Sequence, residues 1–258
     1  KNLSRDYVLP RTTFFSKPKI VRAVNNVSFT LNKGERLGLV GESGCGKSTL
    51  TRALLGLEEI QEGEIRVSGG VVSKNNETSF ASKKNMQVVF QDPFGSFNPR
   101  HKVSKLISEP LFLDKKIMKK EDLNDLLINT LISVGLSADD RNKYIHEFSG
   151  GQRQRIAIAR ALIVKPEIII FDEAVSALDV SVRAQILDLL AYLCKTLNLT
   201  YIFISHDLSV VRTITDKVMV MKNGEIIESG KTENILTNPK HNYTKKLIEA
   251  APSLPSFC

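Results

Sequence analysis

Eight consecutive residues, Gly41-Glu42-Ser43-Gly44-Cys45-Gly46-Lys47-Ser48, have the types and spacing of a phosphate-binding P-loop, G-x-x-x-x-G-K-[ST]. Glycines let the backbone wrap closely around a polyanion, with N–H groups turned inward at a helix N-terminus. Lys47 supplies a point charge for the β- and γ-phosphates, and the Ser48 hydroxyl is placed to bind Mg²⁺. The context agrees. Arg36 to Val40 reads as a short buried strand, and Thr49 to Leu55 as a helix, with Thr49 closing the phosphate-binding set. The other reading is a bare Gly-rich strand-to-helix turn; Lys-Ser in register argues for a nucleoside triphosphate site.

Further chain positions carry chemistry that such a site needs. Asp172 closes an apolar run, Ile168 to Phe171, at the end of a core strand, where a Mg²⁺-handling carboxylate belongs. Glu173 comes next, so its side chain points elsewhere and can accept the proton of an attacking water. The competing reading of Asp-Glu is an acidic pair at a helix start. His206 follows the next apolar run, Thr200 to Ile204, and can donate a hydrogen bond to a γ-phosphate. Gln91 ends the strand Met86 to Phe90 and can reach Mg²⁺ or water. Ser149-Gly150-Gly151-Gln152 opens a helix and offers a second set of bare N–H groups to phosphate. One site does not need two phosphate-binding helix ends from one chain, but a dimer interface does.

The elements that position these residues alternate. Lys19 to Leu31, Glu64 to Val67, Met86 to Phe90, Glu167 to Phe171, Thr200 to Ile204, Lys217 to Met221 and Glu225 to Glu228 read as strands, and Lys222-Asn223-Gly224 as a hairpin turn. Ser68 to Lys84 reads as polar loop. Gln152 to Val164, Val182 to Leu197 and a short stretch near 245–250 read as helices. Strands alternating with helices predict an α/β parallel core with helices on both faces. The helical stretch from Asp92 to about Gly150 interrupts it as an inserted subdomain.

At 258 residues, 42% hydrophobic and 25% charged, the composition is that of an ordinary globular protein. No apolar run approaches the roughly 18 residues of a membrane span, and no secretory signal pattern opens the sequence. The net charge of +8 suits an anionic partner. The Lys115-Lys116 and Lys119-Lys120 cluster has no interleaved aromatics, which argues against a single-strand nucleic-acid groove. Three scattered cysteines form no disulfide framework and no metal pair, and the reading is a reducing compartment. The four histidines are equally scattered.

Phe148 to Arg155, containing Ser-Gly-Gly-Gln, resembles the signature motif of the ATP-binding cassette (ABC) family. Gln91, Asp172-Glu173, Ala177-Leu178-Asp179 and His206 then match that family's Q-loop, Walker B, D-loop and H-loop in order, over almost the whole chain. Gly38 to Gly46, Gln91 to Arg100 and the tail His241-Asn242-Tyr243-Thr244-Lys245 are similar to the oligopeptide/dipeptide/nickel importers, as is the long N-terminal loop between Tyr7 and Ala23. Ala174-Val175 stand for the commoner Pro-Thr, and Ile145 for Pro; neither touches a catalytic group. The chain closes on Cys258 alone, so it looks like the ATPase subunit without an iron–sulfur motif, or a truncated one.

The resemblance implies a P-loop NTPase parallel-sheet core with an antiparallel β subdomain and an inserted α-helical subdomain. The boundaries expected are 1–91 and 156–235 for the core, 92–155 for the helical subdomain and 236–258 for a C-terminal extension. It implies ATP and Mg²⁺, with Ser48, Gln91 and Asp172 at the metal, and Glu173, His206 and Gln91 in catalysis. Ser149 to Gln152 would serve the partner's ATP. Tyr7 matches the adenine-stacking aromatic best, with Phe14 and Phe15 competing. Implied partners are a second ATPase subunit (a heterodimer, with a homodimer as the other option), two permeases and an extracytoplasmic binding protein, with no nucleic acid. The expected place is the cytoplasmic face of a bacterial inner membrane. Phe94 and Phe97 read as exposed aromatics that meet a permease, burial of Phe97 being the other reading. A soluble cassette acting on ribosomes or nucleic acid, and a nucleotide-gated scaffold, are the rival functions; the former usually needs two cassettes or a long coiled coil, the latter the loss of Glu173 or His206.

Overall fold

The computed structural model describes residues 1–10, 18–73, 85–92, 94–113 and 119–251. The contacts divide the chain into two compact units, one of Lys1–Asn32, Leu37–Lys83 and Ile204–Cys258, the other of Lys33–Arg36 and Lys84–Phe203.

In the first unit, β1 (Leu3–Val8) and β2 (Ile20–Val27) pair antiparallel from Leu3↔Val27 to Val8↔Ile20. Ile20 to Ala23 fall in the strand expected from Lys19 onwards, and the N-terminal loop is shortened at its other end, where Val8 is strand; residues 11–17, with Phe14 and Phe15, lie outside the described residues. β3 (Arg36–Val40) pairs in parallel with β9 (Lys217–Lys222), which pairs antiparallel with β10 (Glu225–Lys231). The β9–β10 turn has positive φ at both central residues, Asn223 (48°) and Gly224 (84°), the backbone twist that matches paired strands. A second small ribbon joins β4 (Ile65–Val67) to β5 (Gly70–Ser73), so part of the segment expected as loop is strand. Helices α1 (Lys47–Leu54), α6 (Leu208–Ile214), α7 (Thr232–Thr237) and α8 (Asn242–Glu249) complete this unit. Leu39, Leu50, Val24, Val211 and Met221 are among its buried residues.

In the second unit, β6 (Met86–Phe90) pairs in parallel with β7 (Ile168–Asp172), whose other neighbour is β8 (Thr200–Ile204). Ile169, Ile170, Phe171 and all of β8 are buried, as expected for strands covered on both faces. Phe171 meets Tyr201 edge to face, ring centroids 5.5 Å apart. The helices are α2 (Val103–Ser108), α3 (Lys120–Ser133), α4 (Gly150–Leu162) and α5 (Val180–Leu197). α4 packs against α2, α3, α5 and β6, burying Ile156, Ile158, Ala159 and Leu162. Among the described residues no helix is long and apolar enough to cross a membrane.

Candidate functional site

β3 delivers the chain into Gly41, and the P-loop closes at Gly46, which stands just ahead of α1 with φ 112° and ψ 0°. A side chain is excluded at both glycines. A Cβ on Gly46 would collide with the Ala23 carbonyl of β2, and one on Gly41 with the Met221 carbonyl of β9. Lys47 is 6% exposed. Its Nζ donates to the Gly41 carbonyl at 2.7 Å and the Glu42 carbonyl at 2.9 Å, with Cys45 Sγ at 3.8 Å. These bonds hold the ammonium inside the loop. Glu42, Ser43, Gly44 and Ser48 are exposed, Gly46 and Thr49 half-buried and Cys45 buried. The first turn of α1 carries no acidic residue, so the positive end of the helix dipole is not offset there.

The outer side of the loop is fixed by two bonds. The Gly224 N–H of the β9–β10 turn donates to the Cys45 carbonyl at 2.8 Å. The Glu42 N–H donates to the Tyr243 hydroxyl of α8 at 3.0 Å.

His206 belongs to the same unit. The Ser205 N–H donates to the Leu39 carbonyl of β3 at 3.3 Å, so His206 and the P-loop emerge beyond the same strand end. The Asp207 N–H donates to Ser205 Oγ at 2.9 Å, and Asp207 caps α6 by accepting from the Ser209 N–H. His206 thus stands exposed on a tight turn. Tyr7 lies on β1; its hydroxyl donates to the Glu58 carboxylate, and the Arg5 guanidinium covers one ring face, 4.8 Å from the centroid.

The second unit holds the other group. Phe90 and Asp172 are register partners on β6 and β7, so Gln91 and Glu173 leave neighbouring strand ends together. Carboxyl ends of parallel strands are where such sheets bind ligands. Gln91 is exposed, and Asp172 and Glu173 are half-buried. Glu173 has φ 52°, the left-handed region that an ordinary side chain rarely adopts. Its carbonyl accepts both the N–H and the hydroxyl of Ser176, at 3.0 and 2.8 Å, which locks the turn. Strain of this kind gathers at functional sites and persists where neighbours over-determine it.

Ser149 caps α4. Its hydroxyl accepts the Gln152 N–H at 3.4 Å, and Gln152 Oε1 accepts the Ser149 N–H at 3.0 Å, a reciprocal box that fixes the helix start. Ser149, Gly150 and Gln152 are exposed. A Cβ on Gly151 would stand 2.5 Å from Val182 Cγ1, so the start of α4 lies hard against the start of α5.

Ser48 of the first unit carries a hydroxyl oxygen, and Gln91 and Asp172 of the second carry an amide and a carboxylate oxygen; oxygen is the donor type a hard cation such as Mg²⁺ takes. Among the described residues no group of three or more His, Cys, Asp or Glu could hold a metal by itself.

Phe97 corrects one expectation. It is 5% exposed, because the turn Phe94–Ser96 folds back towards α4. Arg160 of α4 donates to the Ser96 carbonyl at 3.1 Å and lies over the Phe97 ring, 5.5 Å from its centroid. The Phe94 side chain lies outside the described residues. Three residues gained a role only from the structure: Tyr243, Asp207 and Arg160. The Asp three positions ahead of the apolar Val210-Val211 pair was a readable cap signal for Asp207; an Arg late in an amphipathic helix says nothing about what it reaches.

The chain resembles known proteins along most of its length. Residues 24–176 match the family model for ABC transporters, and residues 227–256 that for the C-terminal region of oligopeptide/dipeptide transporters. The chain is 48% identical to the dipeptide transport ATP-binding protein DppF of Haemophilus influenzae, over 97% of this chain and 76% of that protein. It is 46% identical to the oligopeptide transport ATP-binding protein OppF of Bacillus subtilis, over 98% and 81%. Among solved structures, a dimeric post-hydrolysis state of the ATP-binding cassette MJ0796 with ADP and Pi superposes with a TM-score of 0.76 at 27% identity, covering 90% of this chain and 97% of that one.

Proposed function

The chain belongs to the ABC transporter family, and from that membership we propose that it is an energy-coupling ATPase subunit of a bacterial peptide importer. The observation that carries the cargo class is the match of residues 227–256 to the C-terminal region of oligopeptide/dipeptide transporters. Nickel or metal chelates are the neighbouring cargo classes. No observation favours a cassette acting on ribosomes or nucleic acid.

In this reading the chain's own residues divide the work. The N–H groups of Gly44 to Thr49 and the Lys47 ammonium hold the β- and γ-phosphates of ATP, and the Tyr7 ring stacks on the adenine. Mg²⁺ neutralises charge across those phosphates when bound, and Ser48, Gln91 and Asp172 are the residues that would hold it. Glu173 orients a water in line with the γ-phosphate and accepts its proton. His206 donates a hydrogen bond to a γ-phosphate oxygen, where charge develops. Ser149 to Gln152 present the start of α4 to the ATP of a second cassette. Residues 92–155 act as the helical subdomain between residues 1–91 and 156–235, with 236–258 as the C-terminal extension. Two permeases and an extracytoplasmic binding protein complete the assembly, and the subunit sits peripherally on the cytoplasmic face of the membrane.

The test is reconstitution of the chain with its permeases and second cassette in liposomes, with hydrolysis measured against peptide-loaded binding protein. Peptide should accelerate turnover severalfold, while the chain alone turns over slowly. Brisk, concentration-independent turnover by the chain alone would refute the two-cassette site. Stimulation by a metal chelate and by no peptide would refute the cargo class.

A further inference from the structure

The C-terminal segment that marks this importer group reaches the nucleotide loop directly. Tyr243, on α8, is 7% exposed, and its hydroxyl takes the N–H of Glu42, the second residue of the P-loop, at 3.0 Å. Three supports fix the phenol from outside the loop. The Lys222 ammonium of β9 lies 4.8 Å from its ring centroid. His241 caps α8, its Nδ1 accepting the Tyr243 N–H at 3.0 Å. The Glu228 carboxylate of β10 accepts the N–H groups of Lys240 and His241 at 2.7 and 3.1 Å, which holds the turn into α8.

We propose that Tyr243 is a positioning residue for ATP binding, through which the C-terminal extension sets the conformation of the P-loop. The loop presents two opposite demands to its own backbone. Its inner N–H groups must stay available for phosphate, while the carbonyls of Gly41 and Glu42 hold Lys47. The Gly41 carbonyl and the Glu42 N–H belong to one trans peptide and point to opposite sides, so an inward carbonyl needs the Glu42 N–H turned outward, and the Tyr243 hydroxyl is the acceptor that fixes that peptide. Without it the N–H must find another partner, and the Gly41 carbonyl is no longer held towards Lys47 from outside the loop. Burial pushes the Tyr243 phenol up, so the hydroxyl stays uncharged at neutral pH. The proposal rests on nucleotide binding at the P-loop and not on the cargo.

Tyr243→Phe removes the hydroxyl and keeps the ring under Lys222. Titration of the full chain with a fluorescent ATP analogue should give a Kd raised roughly three- to tenfold, the size of one lost hydrogen bond. In the assembled transporter KM for ATP should rise by a similar factor with kcat within about twofold. His241→Ala should raise Kd in the same direction by loosening α8, and His241→Asn, whose side chain still caps a helix start, should restore it. An unchanged Kd for Tyr243→Phe overturns the proposal, whether or not the melting temperature falls. A fall in kcat at saturating ATP with Kd and KM unchanged overturns it as well.

Discussion

Replacing Glu173 by Asn and by Gln separates the chemistry of this residue from its backbone. Glu173 is held at φ 52° by two hydrogen bonds from Ser176 to its carbonyl, and both bonds survive any side-chain change. An ordinary L-residue in this region is strained by roughly 1–2 kcal/mol, whereas Asn enters it readily. Gln keeps the length, shape and strain of Glu and loses only the proton acceptor. Both variants should slow single-turnover hydrolysis roughly 10²–10⁴-fold, the worth of a positioned base. They should differ in stability. Asn should recover about 1 kcal/mol relative to Gln, which in a chain of this size is a melting temperature higher by about 2–4 °C. The assay is differential scanning calorimetry of the three proteins without nucleotide, beside single-turnover hydrolysis in the assembled transporter with the second site disabled. If Asn melts at or below Gln, the turn does not store strain. If Gln hydrolyses ATP near the wild-type rate, Glu173 is not the base.

The cap and the acid limb of stability give two more expectations. Ser149→Ala removes the acceptor of the Gln152 N–H and should destabilise by about 1 kcal/mol; Ser149→Asp should restore the melting temperature yet abolish ATP-driven pairing of cassettes, since a carboxylate then faces the triphosphate, and pairing by that variant in gel filtration would contradict the assignment. Burial pushes the Glu228 carboxyl up, but the Thr244 hydroxyl and the N–H groups of Lys240 and His241 outweigh it and hold the group below the ordinary carboxylate value of 4.5. A depressed folded value means that the stabilisation is complete above that pH and is lost as pH falls through the folded value. Urea midpoints of Glu228→Gln should therefore trail wild type at pH 7 and converge with it towards pH 3; a gap constant with pH would show that the charge contributes nothing.

The legible parts of this chain were those with dense local signals. The strands Arg36–Val40, Met86–Phe90 and Thr200–Ile204 were read to their ends, because each is a short, largely apolar run bounded by polar residues; Thr200–Ile204 is buried throughout, the pattern of a strand covered on both faces. Leu3–Val8 and Gly70–Ser73 were not read as strands: one is interrupted by the consecutive polar residues Ser4, Arg5 and Asp6, the other opens on glycine, and both are defined by their antiparallel partners. α6 is only seven residues long, too short for a period to show. The phosphate loop, the strand-end carboxylates and the capped Ser-Gly-Gly-Gln are spelled in contiguous residues. What escaped is long-range. Phe97 is apolar in a Pro- and Gly-bearing turn, which reads as exposed until Arg160, far along the chain, covers it. Tyr243 and Glu42 are 201 positions apart, and nothing in either neighbourhood announces the other. The left-handed Glu173 has no sequence signature, because acidic residues at strand ends are ordinarily extended or helical.

The close approach of Gly151 to Val182 limits how this sequence can drift over generations. The two positions share one volume, so a methyl group gained at 151 survives only where 182 has already shrunk to alanine or glycine. Shrinking 182 first leaves a small void and is tolerable by itself; enlarging 151 first is not. Variation at this helix junction therefore has a permitted order, and a chain that has taken the first step shows it as a small residue at 182 long before any change appears among the glycines.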